Sequence, residues 1–123
     1  MFEVTIEETF SSGHALRNYR GKCENVHGHN YRCQVTIEGA ELDNIGLLVD
    51  FVELKKVVHV VLDRMDHQWL NDFPPFDVLN PSAENMAKYI YDEVCEGLKT
   101  RTGVRVGTIR LWETDTSSAT YRP

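Results

Sequence analysis

Two kinds of hydrophobic repeat, taken in order along the chain, predict an α+β fold: a four-stranded antiparallel sheet with two helices on one face, in the order ββααββ. Period-two alternation occupies both ends of the 123-residue chain, and two stretches of helical spacing fill its middle. No internal repeat, low-complexity tract or linker interrupts them, so residues 1–123 are expected to form a single domain.

In the first strand Phe2, Val4, Ile6 and Phe10 alternate with Glu3, Thr5, Glu7 and Thr9. Residues of one parity share a face of a strand, so the even set is assigned to the core. The second strand repeats the pattern, with Tyr31, Cys33, Val35 and Ile37 set against Arg32, Gln34, Thr36 and Glu38. A polar loop from Arg17 to Gly28 joins them and carries Arg17, Arg20, Lys22 and Cys23. From Asp50 the period changes, and Phe51, Leu54, Val58, Val61 and Met65 fall on one helical face. Asp50 followed by Glu53 reads as a capping box. A second helix follows Asn80-Pro81, with Ala87, Ile90, Tyr91, Val94 and Leu98 on one face and Gly103 as its stop. The link between the helices holds Asp66-His67 and Pro74-Pro75, and Val104–Glu113 and Ser117–Arg122 read as the closing strands.

Thirteen Lys and Arg against nineteen Asp and Glu leave a net charge of −6, which argues against nucleic acid as a partner. At 41% hydrophobic and 26% charged residues the chain lies outside the disordered regime. Its longest apolar run, Val57–Leu62, is interrupted by His59 and is far short of the roughly 20 residues a membrane helix needs, so no membrane partner is expected. The first ten residues lack the basic leader of a signal peptide, and a cytoplasmic protein with reduced thiols is the expectation. A domain of this size buries only about two thirds of the surface its unfolded chain exposes, so it either remains marginal or gains stability by assembling with copies of itself.

His27-Gly28-His29 opens the second strand, and both imidazoles share parity with Tyr31 and Cys33, facing the covered side of the sheet. Gly28 is expected to bend the backbone so that both reach in. His14 continues the even parity of the first strand, provided Ser11-Ser12-Gly13 does not reset it. Three neutral imidazoles with one open position form a catalytic zinc site. The competing reading makes the histidines ordinary strand-end residues. Cys23 precedes His27 by four residues, either as a fourth ligand of a closed structural site or as an uncoordinated thiol available as base or nucleophile. Cys33 and Cys95 fall on apolar stripes and read as core. Asp66-His67 reads either as a carboxylate–imidazole pair that activates a thiol or as a helix-end charge interaction. His59 is assigned to the surface. Glu113 shares parity with Ile109 and Leu111; it either receives a ligand presenting two adjacent N–H groups or lies in solvent beyond the strand.

Ser11-Ser12-Gly13-His14, Cys23 with His27-Gly28-His29-Asn30-Tyr31, Asp66-His67 with Leu70-Asn71, Asn80-Pro81-Ser82-Ala83-Glu84-Asn85 and Trp112-Glu113-Thr114 together resemble the 6-pyruvoyl- and 6-carboxy-tetrahydropterin synthase family. The resemblance implies a tunnelling fold (T-fold) assembled as a homohexamer, a dimer of trimers with active sites between subunits. It implies zinc held by His14, His27 and His29, a proton-transfer triad of Cys23, Asp66 and His67, and Glu113 as anchor of the pterin ring. The implied substrate is 7,8-dihydroneopterin triphosphate. Arg17, Arg20 and Lys22 are then either solvated loop charges or contacts for the triphosphate. The three residues between Cys23 and His27 resemble the bacterial branch that forms 6-carboxy-5,6,7,8-tetrahydropterin for queuosine and other deazapurines. Glu24 directly after Cys23 resembles a subgroup in which glutamate takes over as base and 6-hydroxymethyl-7,8-dihydropterin is made for folate. Because this chain has both residues, it resembles the combined type, with both products implied. The alternatives are 6-pyruvoyl-tetrahydropterin synthase activity, a three-histidine zinc enzyme acting on another substrate, and a zinc-stabilised binding module without chemistry.

Overall fold

The computed structural model describes all of residues 1–123. Four strands, β1 (Phe2–His14), β2 (His27–Gly39), β3 (Arg105–Thr114) and β4 (Ser117–Tyr121), form one antiparallel sheet in the order β1-β2-β3-β4. Helices α1 (Phe51–Met65) and α2 (Ala83–Gly97) lie between the strand pairs in sequence and pack on one face of the sheet. A 3-10 turn, Leu70–Asp72, falls in the link between them, which also contains a cis Pro74–Pro75 peptide. The ββααββ order is as the repeats predict.

The two inner faces explain the packing. Ile6, Phe10, Tyr31, Cys33, Val35, Ile37, Val106, Ile109 and Leu111 of the sheet meet Leu54, Val58, Val61, Met65, Met86, Ala87, Ile90 and Val94 of the helices in one cluster of 22 buried residues. Cys33 is wholly enclosed, and burial pushes its thiol up to about 12. The opposite face is polar: Glu7 accepts from Arg32 and Gln34, and Arg32 lies 3.8 Å from the Trp112 ring centre. No helix is long and apolar enough to cross a membrane.

Several boundaries differ from the sequence reading. β1 does not bend at Ser11-Ser12-Gly13 but pairs with β2 without interruption down to His14↔His27. Phe2 and Phe51, assigned to the core, are 48% and 57% exposed, because each opens its element beyond the reach of the facing layer. Asp50 caps α1 by accepting from the Val52 N–H at 2.7 Å, but Glu53 closes no capping box; its carboxylate takes Arg101 instead, at 3.1 and 3.3 Å. Ser82 caps α2, its hydroxyl accepting from the Asn85 N–H at 3.2 Å. That helix ends at Gly97, where a Cβ would come within 2.6 Å of Val57 Cγ1, so glycine permits the close approach of α2 to α1. Gly103, at φ +77°, lies in the turn that leads into β3.

Candidate metal centre and its surroundings

The end of β1 is tied down at alternate residues. The N–H of Ser11 donates to Asp66 Oδ1 at 2.8 Å, and the Ser11 carbonyl accepts from the His67 N–H at 2.6 Å. Gly13 N–H donates to the Gln68 carbonyl at 3.0 Å. Beyond that point no strand is available, and asparagine side chains take over. Asn71 accepts from Ala15 N–H at 2.9 Å and returns a bond to its carbonyl at 2.8 Å, while Asn80 does the same for Arg17 at 2.7 and 2.9 Å. A primary amide carries the donor and acceptor of a peptide group, so the two asparagines extend the edge of β1 as surrogate backbone. Gly13 belongs to this arrangement, since a Cβ there would press on the Trp69 ring at 3.3 Å.

This clamped strand end places three imidazoles together. His14 lies directly opposite His27, and Ser12 opposite His29, in the β1–β2 register. The ring centres of His14, His27 and His29 are 4.6, 4.8 and 5.2 Å apart, and the three can offer nitrogens lying within 4.8 Å of one another. Gly28 is not the source of this convergence, because it lies in regular strand pairing with Gly13; strand parity is sufficient. His14 Nδ1 lies 2.7 Å from the Pro81 carbonyl and His27 Nδ1 2.8 Å from the Asn25 carbonyl. A carbonyl only accepts, so both Nδ1 atoms carry protons and both Nε2 atoms present lone pairs. Those two Nε2 atoms face each other at 3.0 Å. Two lone pairs at that separation repel unless a cation lies between them. His29 Nε2 is buried without a hydrogen-bond partner. Burial holds the His29 imidazole below its ordinary pKa, against the pull of Glu113, and so favours the neutral form that binds metal. The donor set fits a divalent ion of zinc type.

The other sequence-predicted residues surround this centre. Glu113 is not in solvent: β3 continues through Thr114, and Glu113 Oε1 reaches His14 Nε2 at 3.2 Å and His29 Nε2 at 3.5 Å. Glu24 is tied to Leu16, accepting from its N–H at 3.2 Å, and its Oε1 lies 3.8 Å from His27 Nε2. Cys23 is exposed and lies outside the three-histidine cluster. Asp66 Oδ2 and His67 Nδ1 are 2.9 Å apart, so the carboxylate fixes the imidazole with its Nε2 outward. The Ser11 N–H and then the His67 ring hold the Asp66 carboxyl below the usual carboxylate range. His67 adopts φ +55°, a left-handed conformation costing about 1 kcal/mol that the two bonds to Ser11 sustain. Its side chain is 82% exposed, and neither His67 nor Asp66 is hydrogen-bonded to Cys23 within the chain. An open hollow of about 350 Å³ is lined by residues 11–13 and 28–30 together with His67 and Gln68, so His29 of the cluster and His67 border one space.

The Arg17 guanidinium is engaged within the chain. It donates to the carbonyls of Asn71, Phe76 and Leu79 at 3.0, 2.6 and 3.3 Å. Arg17→Ala is expected to lower stability by about 1–3 kcal/mol, because three carbonyls lose a charged donor, while leaving substrate affinity within twofold. Thermal melting and a KM measurement check the two halves. His59 is on the surface as assigned, 3.0 Å from Glu8. Neither Pro81, whose carbonyl orients His14, nor the roles of Asn71 and Asn80 are legible in the sequence. A backbone carbonyl leaves no sequence signal, whereas the two asparagines at loop positions were visible but without a function.

The chain matches the family model "6-pyruvoyl tetrahydropterin synthase" over residues 3–123. It is 38% identical over 128 residues to the 6-carboxy-5,6,7,8-tetrahydropterin synthase of Bacillus subtilis, covering 99% of this chain and 86% of the relative. It is 33% identical over 110 residues to the dihydroneopterin monophosphate aldolase of Pyrococcus furiosus, covering 89% and 88%. The structure of Caenorhabditis elegans 6-pyruvoyl tetrahydropterin synthase superimposes with a TM-score of 0.83 at 29% identity, covering 100% of this chain and 97% of the other. With a match spanning nearly every residue and the same strand and helix order, the chain belongs to the 6-pyruvoyl tetrahydropterin synthase family.

Proposed function

We propose that this protein is a zinc-dependent lyase that converts 7,8-dihydroneopterin triphosphate to 6-carboxy-5,6,7,8-tetrahydropterin. The observation that carries the reading is the convergence of His14, His27 and His29 with two Nδ1 protons pinned to carbonyls, beside a carboxylate-bound His67. The Bacillus subtilis relative supports the product. Zinc held by the three imidazoles supplies Lewis acidity to the oxygens of the substrate side chain. His67, with its Nδ1 proton held by Asp66, presents Nε2 as the acceptor for the Cys23 thiol proton, and the thiolate then moves protons on the carbons next to the ring. Glu113 receives the paired N–H groups of the pterin ring, a bidentate contact that fixes the ring against the metal.

His67 and Cys23 are both exposed and do not meet within one chain, and β1 and β4 are free sheet edges. These features support a homohexamer in which the proton-transfer groups meet across subunits. A second product, 6-hydroxymethyl-7,8-dihydropterin, is favoured by Glu24 at 3.8 Å from His27 and by the aldolase name of the Pyrococcus furiosus relative. Incubation with zinc and 7,8-dihydroneopterin triphosphate, followed by mass identification, tests the reading. The expected products are the carboxy compound with acetaldehyde and inorganic triphosphate, and the hydroxymethyl compound as a second species. Recovery of a 6-pyruvoyl product alone, or of unchanged substrate, overturns it.

A further inference from the structure

Glu113 is too close to the histidines to serve the pterin ring alone. One oxygen, Oε1, lies 3.2 Å from His14 Nε2 and 3.5 Å from His29 Nε2. The His14 Nε2 lone pair already faces His27 Nε2 at 3.0 Å, so a carboxylate oxygen added to the group deepens the repulsion unless a cation holds all of them. On a tetrahedral zinc with bonds of about 2.0–2.2 Å, neighbouring donor atoms are about 3.3–3.6 Å apart. The spacing of Glu113 from the two imidazoles is that of donors sharing one ion.

The geometry points to Glu113 as a fourth ligand of the metal in the substrate-free enzyme, released to the pterin ring when substrate enters. The release rests on the pterin reading above; the ligand role does not. In the resting state the carboxylate closes the site and neutralises part of the ion's charge. A pterin ring offering two N–H groups competes for the same carboxylate, and its capture frees a metal position for the substrate side chain. The ring is thereby sensed before the metal opens, which excludes anions and small diols that lack it.

Cobalt-substituted protein and zinc competition against a chromophoric chelator test this. Glu113→Ala is expected to weaken zinc binding by about 10–100-fold and to alter the cobalt visible band, with Glu113→Gln intermediate because it keeps one neutral oxygen. Circular dichroism and the oligomeric state of each variant control for folding. Zinc affinity within twofold of wild type with an unchanged cobalt band overturns the ligand role. Addition of 7,8-dihydropterin, a ring without side-chain hydroxyls, is expected to move the wild-type cobalt band towards that of Glu113→Ala. If ring fluorescence reports binding and the band does not move, the release is overturned and the pterin reading stands. If the ring does not bind while Glu113→Ala still weakens zinc, the pterin reading and the release fall and the ligand role stands.

Discussion

His29→Ala is expected to strip the metal and reduce turnover by at least about 10³-fold, the factor that several kcal/mol of lost charge stabilisation represents. His29 is the member of the cluster whose buried Nε2 makes no hydrogen bond, so its removal withdraws a donor without breaking a hydrogen bond of the fold. The melting temperature of the metal-free variant should therefore stay close to that of metal-free wild type. Metal content by elemental analysis and turnover of dihydroneopterin triphosphate are the measurements. His59→Ala is the control: that imidazole pairs with Glu8 on the surface, and its variant should keep full metal. Retention of stoichiometric zinc by His29→Ala would show that His14, His27 and Glu113 suffice, and the three-imidazole centre would fall.

The three-histidine cluster was legible because strand parity is a short-range rule. His14 on even parity and His27 and His29 on odd parity each follow from the alternation of the strand that carries them, and pairing through His14↔His27 brings them to one end. Glu113 was ambiguous for the opposite reason: whether β3 ends before or after it depends on β2 and β4 alongside, and a register shift between Trp112 and Thr114 occurs at that residue. The clamp on β1 was not legible at all. Ser11, Gly13, Ala15 and Arg17 are held by residues 66–80, and nothing in the sequence marks which asparagine side chains will stand in for a missing strand. Phe2 and Phe51 failed because alternation assigns a face but not the extent of the layer that covers it.

Cys23→Ala and Glu24→Gln are expected to separate the two products. The two side chains are neighbours in sequence but not in environment. Glu24 is fixed, its N–H donating to the Leu16 carbonyl at 2.9 Å and its carboxylate accepting from Leu16 N–H, so its oxygen is held on the metal side near His27. Cys23 is exposed on the same loop and lies outside the histidine cluster. A carboxylate is ionised at neutral pH without help, whereas an ordinary thiol with pKa near 8.5 needs an acceptor such as His67. Two bases with different positions reach different protons of one substrate. Loss of a general base costs about 10²–10⁴-fold, so Cys23→Ala should reduce the carboxy product by at least about 10²-fold while leaving hydroxymethyl formation within a few-fold. Glu24→Gln should do the reverse. Both variants should retain zinc, since neither residue belongs to the imidazole cluster. Product ratios by mass spectrometry decide the matter. Unchanged hydroxymethyl product from Glu24→Gln removes Glu24 from the chemistry, and parallel loss of both products from Cys23→Ala assigns a single base to both reactions.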